Sequence, residues 1–200
     1  MTTVTDRISA SGHDAYDTDS GFPGFSATAT GEFKFGDNTA PSRIQYMGLI
    51  WDGVSIPSGA TYDSGCDIDL TDVSFGSGGA AEMDVYGVEE KTLTVWAAGD
   101  MASRTRTTAT TNWSSNWLSG AVFTSPELNT IFQEIEDDAT GSGVTDLTVV
   151  LEDTNAGVQN RDVEAFDGTA GEAAFVTIEY TAGGGGANTR RYSLTTTGVG

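Results

Sequence analysis

The sequence predicts an all-β fold, a sandwich of two sheets with one capping α-helix, and three observations predict it. The 200 residues include 26 Gly, and Thr and Ser dominate the polar remainder, a composition that suits pleated surfaces and turns more than helices. Short alternating or β-branched segments recur along the chain between clusters of Gly, Asp, Asn and Pro. Only one stretch is convincingly helical: Leu128, Ile131, Phe132 and Ile135 recur at the i, i+3, i+4, i+7 spacing of one buried face.

The elements follow in order. Val4 to Ala10 is a first short strand. His13 to Gly36 is rich in Gly, Asp, Ser and Thr and is expected to form loops and an edge strand, with Phe22, Phe25, Phe33 and Phe35 packed on the body. Ile44 to Trp51 is apolar with few breaks, which fits a strand buried on both faces and makes it the first choice for the core. Ile56-Pro-Ser-Gly-Ala60 is a turn in which Pro57 fixes φ and Gly59 takes the positive φ of a type II turn. Tyr62 to Thr71 follows as a strand in which Cys66 is a small buried residue. Met83 to Val88 alternates and reads as half-buried, Thr92 to Ala97 as a further apolar segment, and Arg104 to Thr111, with its β-branched Thr, as an exposed strand.

The helix is expected over 125–138, with Ser125 as its cap, Pro126 at its first position and Glu127 at the positive end of its dipole. Strands at 146–152, 161–166 and 173–181 complete the body. Eight to ten strands with one helix suggest a jelly-roll or galactose-binding-like sandwich. Residues 1–182 are read as one domain. Residues 183–200 are a Gly-rich hinge, Gly183 to Gly186, and a short β-prone arm. That arm carries Arg190, Arg191, Tyr192 and Leu194, which stand out in so acidic a chain. Two readings of it stand: an unstructured tail, or an arm that docks on an acidic neighbouring subunit or adds a strand to its sheet.

The charge narrows the partners. With 29 acidic against 9 basic residues the formal net charge is −20, which disfavours a nucleic acid held through its phosphates and an anionic membrane surface. Cys66 is the sole cysteine, so neither an intramolecular disulfide nor a thiolate metal site is available. Met1 to Asp6 lacks the basic and apolar regions of a secretory signal, and no apolar run reaches the length of a membrane span. The chain is therefore expected to begin in the cytoplasm of the cell that makes it.

Catalytic sets are scarce. One His, His13, stands near Asp14, Asp17 and Asp19, and no Gly-x-Ser-x-Gly elbow marks a nucleophile. Paired carboxylates for glycoside hydrolysis are available in number, but nothing singles out a pair. No cofactor is required by any motif. A structural calcium ion is the inorganic candidate: Asp17 and Asp19 share an oxygen-rich turn, while Asp67 and Asp69 project from one face of a strand with Asp72 close behind. Solvated loop acids are the alternative. Sugar binding would call on Trp113 with Asn112, Trp117 with Asn116, and Arg104 or Arg106 nearby; the two indoles are either platforms or core beneath the helix.

The ordered pieces Ile56-Pro-Ser-Gly-Ala-Thr61, Ser103-Arg-Thr-Arg-Thr-Thr-Ala109, Trp113, Trp117, Ser125-Pro-Glu-Leu128, Ile131, Gln133-Glu-Ile135, Arg161 and Phe166-Asp-Gly168 give the chain a resemblance to a known group. It resembles the β-sandwich modules of the DNRLRE and disaggregatase-related group, which are carbohydrate-binding-module-like and occur in extracellular and virion proteins. The pattern runs from Arg7 to Tyr180 and departs after the helix, where Asp138 to Gly143 lacks the family's Trp and Asn. The resemblance implies a non-enzymatic virion structural protein, such as a phage capsid decoration or tail appendage, that self-associates and has possible glycan adhesion. The alternative is a carbohydrate-binding module of an extracellular polysaccharide-active protein. Expected partners are further copies of the chain, other virion proteins and surface polysaccharide, with release from the host by lysis.

Overall fold

The structure, a computed structural model, describes residues 1–18, 26, 32–35, 45–75, 81–90, 93, 95–115, 120–137, 143–153 and 161–183. Among these residues are twelve strands and two helices. In chain order the strands are β1 Thr2–Arg7, β2 Asp14–Thr18, β3 Glu32–Phe35, β4 Gln45–Trp51, β5 Thr61–Tyr62, β6 Asp67–Phe75, β7 Ala81–Val88, β8 Arg106–Ser115, β9 Val122–Thr124, β10 Leu147–Asp153, β11 Arg161–Glu164 and β12 Phe175–Thr181. The helices are α1 Asp100–Ser103 and α2 Asn129–Asp137.

Every strand pairing is antiparallel. One sheet has the order β2-β4-β10-β7-β8; the other runs β1-β12-β6-β11-β3, with β5 added to β12 and β9 to β6. Alternation along the strands sends Met47, Leu49, Trp51, Met83, Val85, Leu147, Val149 and Leu151 of the first sheet against Ile68, Leu70, Val163, Val176 and Ile178 of the second. That shared interior is the sandwich core, as the fold class predicts.

A second, smaller core lies on the outer face of the five-stranded sheet. Ala15, Tyr46, Ile50, Val88 and Val150 point outward there and are covered by Leu93, Trp96 and Met101. This double cover explains why all seven residues of β4 are buried, the expectation for Ile44 to Trp51. It also gives the apolar segment at 92–97 its place, its described residues Leu93 and 95–97 lying over this face outside any strand. Gly48 leaves a bare patch of β4 for the Trp96 indole, so close that a Cβ at Gly48 would overlap the ring, and the Trp96 backbone N–H donates to Gly12 O at 3.1 Å. The segment is a lid, and α1 is its continuation.

The helix is shorter than its sequence signals. Ser125 does not cap it: its hydroxyl accepts from Ile68 N–H at 3.0 Å, and its own N–H donates to Ile68 O at 2.8 Å. Leu128 N–H donates to Cys66 O, so residues 125–128 run along β6, and the first helical turn closes with Phe132 N–H on Leu128 O. The apolar face is as expected, with Leu128, Ile131, Phe132 and Ile135 all fully buried. The strand expected over Tyr62 to Thr71 is divided at residues 63–66, where Gly65 takes φ +100°. The turn before it closes one residue later than predicted: Ala60 N–H donates to Pro57 O, making Ser58 and Gly59 central, with Gly59 at φ +75°.

Candidate functional site

Strand register assembles a polar row across the five-stranded sheet's outer face, buried at the lid where Asp17 and Tyr46 stand and open at Asn112. Asp17, Tyr46, Glu152, Asp84 and Asn112 are paired in succession across β2, β4, β10, β7 and β8. One row over, Tyr86 pairs with Val150 and Thr110. A register shift between Tyr86 and Val88 marks a bulge beside Arg106, and bulges commonly re-aim a side chain. The guanidinium lies 5.2 Å from the Tyr46 ring centroid and 5.1 Å from that of Tyr86, within cation–π range. It also pairs with Glu152 and donates to Met101 O at 2.6 Å. Asn112 Nδ2 donates to Asp84 Oδ1 at 3.0 Å. The patch offers amide, carboxylate and hydroxyl edges to a polyol, while the Tyr46 and Tyr86 faces are engaged by Arg106.

The other sequence candidates separate. Trp113 is 2 % exposed and belongs to the sandwich core, which removes it as an open platform: successive β residues face opposite ways, so Asn112 faces outward and Trp113 inward. Arg104 bridges Glu90 and Asp100. Trp117, Asn116, Asp19, Arg190, Arg191, Tyr192 and Leu194 lie outside the described residues.

Calcium candidates do not converge either. Asp17 is on the outer face of β2 and accepts from Gly99 N–H at 2.6 Å. Asp67 and Asp69 share the outer face of β6 as expected, and burial, then the neighbouring Asp69, raises the Asp67 carboxyl above its ordinary range. Asp72 is fully buried on the opposite face of the same strand, which corrects its grouping with them. Among the described residues no three His, Cys, Asp or Glu side chains are placed to hold a metal ion.

His13 faces an acid just past β4. Its Nδ1 stands 3.9 Å from Asp52 Oδ1, and Ser9 Oγ donates to that same carboxylate oxygen at 2.9 Å. At that distance the buried His13 Nδ1 makes no hydrogen bond to the acid, and among the described residues no Ser hydroxyl reaches it.

What sequence reasoning missed is a recurrent task of the acids among the described residues: they pin backbone amides. Asp6 accepts from Gly53 N–H, Asp14 from Phe166, Asp17 from Gly99, Asp100 from Ala97, Glu127 from Gly65, Glu136 from Gly59, Glu164 from Thr169, and Glu134 from both Thr108 and Ala109. Four of the acceptors serve a Gly N–H, where no side chain obstructs approach. The signal available in sequence was only the pairing of many acids with many glycines.

Burial shifts two titratable groups of the body strongly. Asp14 is 1 % exposed and its carboxyl is pushed up to about 6, chiefly by desolvation, against the lowering effect of the Phe166 amide. The Cys66 thiol, fully buried, is raised to about 11 for the same reason, which leaves it unreactive at neutral pH.

No protein-family model matches the chain, and a search of curated proteins finds no significant relative. No helix among the described residues is long and apolar enough to cross a membrane.

Proposed function

We propose that the protein is a non-enzymatic structural component of a virus-like particle, of the phage decoration or tail-appendage kind, acting by self-association and surface display. The observation that carries this reading is the employment of the carboxylates. At least eight of them hold loops and strand edges to the body through backbone amides, which ties those segments down and suits a body built for display. The resemblance to virion-borne sandwich modules and the Gly-hinged basic arm supply the particle and the means of association. Homo-oligomers follow, since such an arm gains stability when a partner buries it. Sedimentation velocity over a hundredfold concentration range tests this: association into a discrete species supports it, and one monomeric species throughout contradicts it.

A second reading is favoured by the Arg106 patch: glycan adhesion, either on the particle or as a binding module of an extracellular polysaccharide-active protein. Its supporting observation is the Tyr46–Arg106–Tyr86 stack beside Glu152, Asp84 and Asn112. A glycan array read with the full chain and with Asn112→Ala tests it; retention that the substitution removes without loss of thermal stability supports it.

A further inference from the structure

The sheet edges are treated unequally. Along β8 the outward amides of Thr108 and Ala109 are taken by Glu134, at 2.6 and 2.8 Å. Along β2, Tyr16 and Ser26 exchange two backbone hydrogen bonds of 3.1 Å. Covering an edge in such ways is how sheets avoid unwanted pairing. Among the described residues nothing covers the edge of β1 in this way. Ile8 N–H donates to Ala174 O, and the β1–β12 register carries that phase along the strand, so Thr2, Val4 and Asp6 bond inward to β12. Thr3, Thr5 and Arg7 then direct their N–H and C=O groups away from the sheet, and no hydrogen bond from the described residues reaches them. Thr3 and Thr5 are exposed.

We infer that the outer edge of β1 is a strand-addition site, and that its occupant is the C-terminal arm of a second copy of this chain, paired antiparallel with Tyr192 opposite Val4. This rests on the self-association proposed above and names its contact. The sequence of the arm fits that register in detail. Arg190 falls opposite Asp6, an opposite-charge cross-strand pair. Tyr192 and Leu194 fall on the same face as Val4, a residue only partly buried at the border of the sandwich core, and extend that core. Arg191 and Ser193 fall opposite Thr5 and Thr3 on the polar outer face.

The exit of the arm assigns it to a neighbour. Gly183 passes so close to the Gly59 carbonyl that no Cβ fits there, on the β5 side of β12 and at the Thr2 end of β1. In the antiparallel register Thr189 must reach the Arg7 end. That is about 17 Å along β1 and about 10 Å across two strand spacings. The six residues from Gly183 to Thr189 extend to roughly 20 Å at most, which leaves no slack for a path that starts in the opposite direction. A second copy meets no such limit, and head-to-tail exchange of this kind builds a ring or filament.

The test is a proline at an outward position. Thr5→Pro removes one outward N–H without touching a β1–β12 bond, a placement edge strands tolerate; Thr5→Val keeps the N–H. Light scattering and thermal melts are read for the full chain, both variants and a chain ending at Gly183. The inference predicts that Thr5→Pro and the truncation become monomeric with little change in melting temperature, while Thr5→Val assembles as the full chain does. A full chain that assembles and loses assembly on truncation, yet is indifferent to Thr5→Pro, overturns the β1 site and leaves self-association standing. Assembly lost with Thr5→Pro but kept on truncation overturns the arm as occupant. A monomeric full chain overturns both readings. Should Thr5→Pro fail to fold, a Cys66→Ser chain carrying Thr5→Cys is mixed with one carrying Arg191→Cys: a disulfide-linked heterodimer is expected, because opposed residues of a hydrogen-bonded antiparallel pair are about 5.5 Å apart at Cα, and its absence under oxidation counts against the register.

Discussion

Asn112 and Trp113, adjacent in sequence, lie on opposite faces of β8: Asn112 bonds Asp84 on the outer surface, and Trp113 is sealed in the core opposite Met83. Whatever site uses one cannot use the other. Truncating Trp113 to Ala is expected to cost about 3–5 kcal/mol, the usual loss for a large buried aromatic, and Asn112→Ala about 0.5 kcal/mol or less, as for an exposed polar residue. Urea denaturation of the two variants checks this; near-equal effects would mean that the indole is not core.

Asp14 joins the two sheets at the cost of a buried carboxylate. It sits on β2 and accepts from Phe166 N–H, beyond β11, at 2.7 Å. Its folded-state value of about 6 lies above the ordinary 3.8, so the folded chain holds the proton more tightly than the unfolded chain does. The resulting stability is fully present below about pH 3.8 and is lost as pH rises through 6. Asp14→Asn keeps an acceptor for Phe166 and abolishes this titration. Chemical denaturation of both proteins at pH 4.5 and 7.5 should show the variant gaining on the parent at the higher pH, by roughly 2–3 kcal/mol at most. An unchanged difference between the two pH values would refute the assignment.

Gly48 is the seat of the Trp96 lid. A methyl group there displaces the indole, so Gly48→Ala should lower stability by about 1–3 kcal/mol and move Trp fluorescence to the red as Trp96 meets water. Retention of the parent emission maximum would show that the lid packs elsewhere.

Glu134 guards the edge of β8, and two backbone N–H bonds hold its carboxyl below the ordinary carboxylate range. A depressed carboxylate contributes stability above its unfolded value that is lost as pH falls through the folded one. Glu134→Ala should therefore lower the melting temperature at pH 7 and shrink the gap from the parent as pH drops below 4. It should also increase aggregation on heating, followed by turbidity, because the amides of Thr108 and Ala109 are left open.

The legible part of the fold was periodic. Ile44 to Trp51, Met83 to Val88 and the face formed by Leu128, Ile131, Phe132 and Ile135 read directly from hydrophobic spacing, because burial on one or two faces writes itself into alternation. Caps and boundaries were less legible. Ser125-Pro126-Glu127 carries every local signal of a helix start, yet β6 takes the Ser125 hydroxyl and Leu128 amide first, a tertiary hydrogen bond overriding a local one. Thr92 to Ala97 has strand composition, but Trp96 finds its partner in Gly48, 48 positions earlier in the chain, a match that no local window contains. The site was legible only in part: Arg106 was a candidate beside Arg104, but its tyrosines come from β4 and β7, brought together only by register.

The central claim, that the arm makes copies of this body assemble, meets its most direct test in the light-scattering mass of the full chain and of a chain ending at Gly183, each in calcium and in chelator. The account predicts a discrete oligomer that becomes a monomer on truncation whatever the calcium level; a full-length chain that is monomeric in every condition would contradict it.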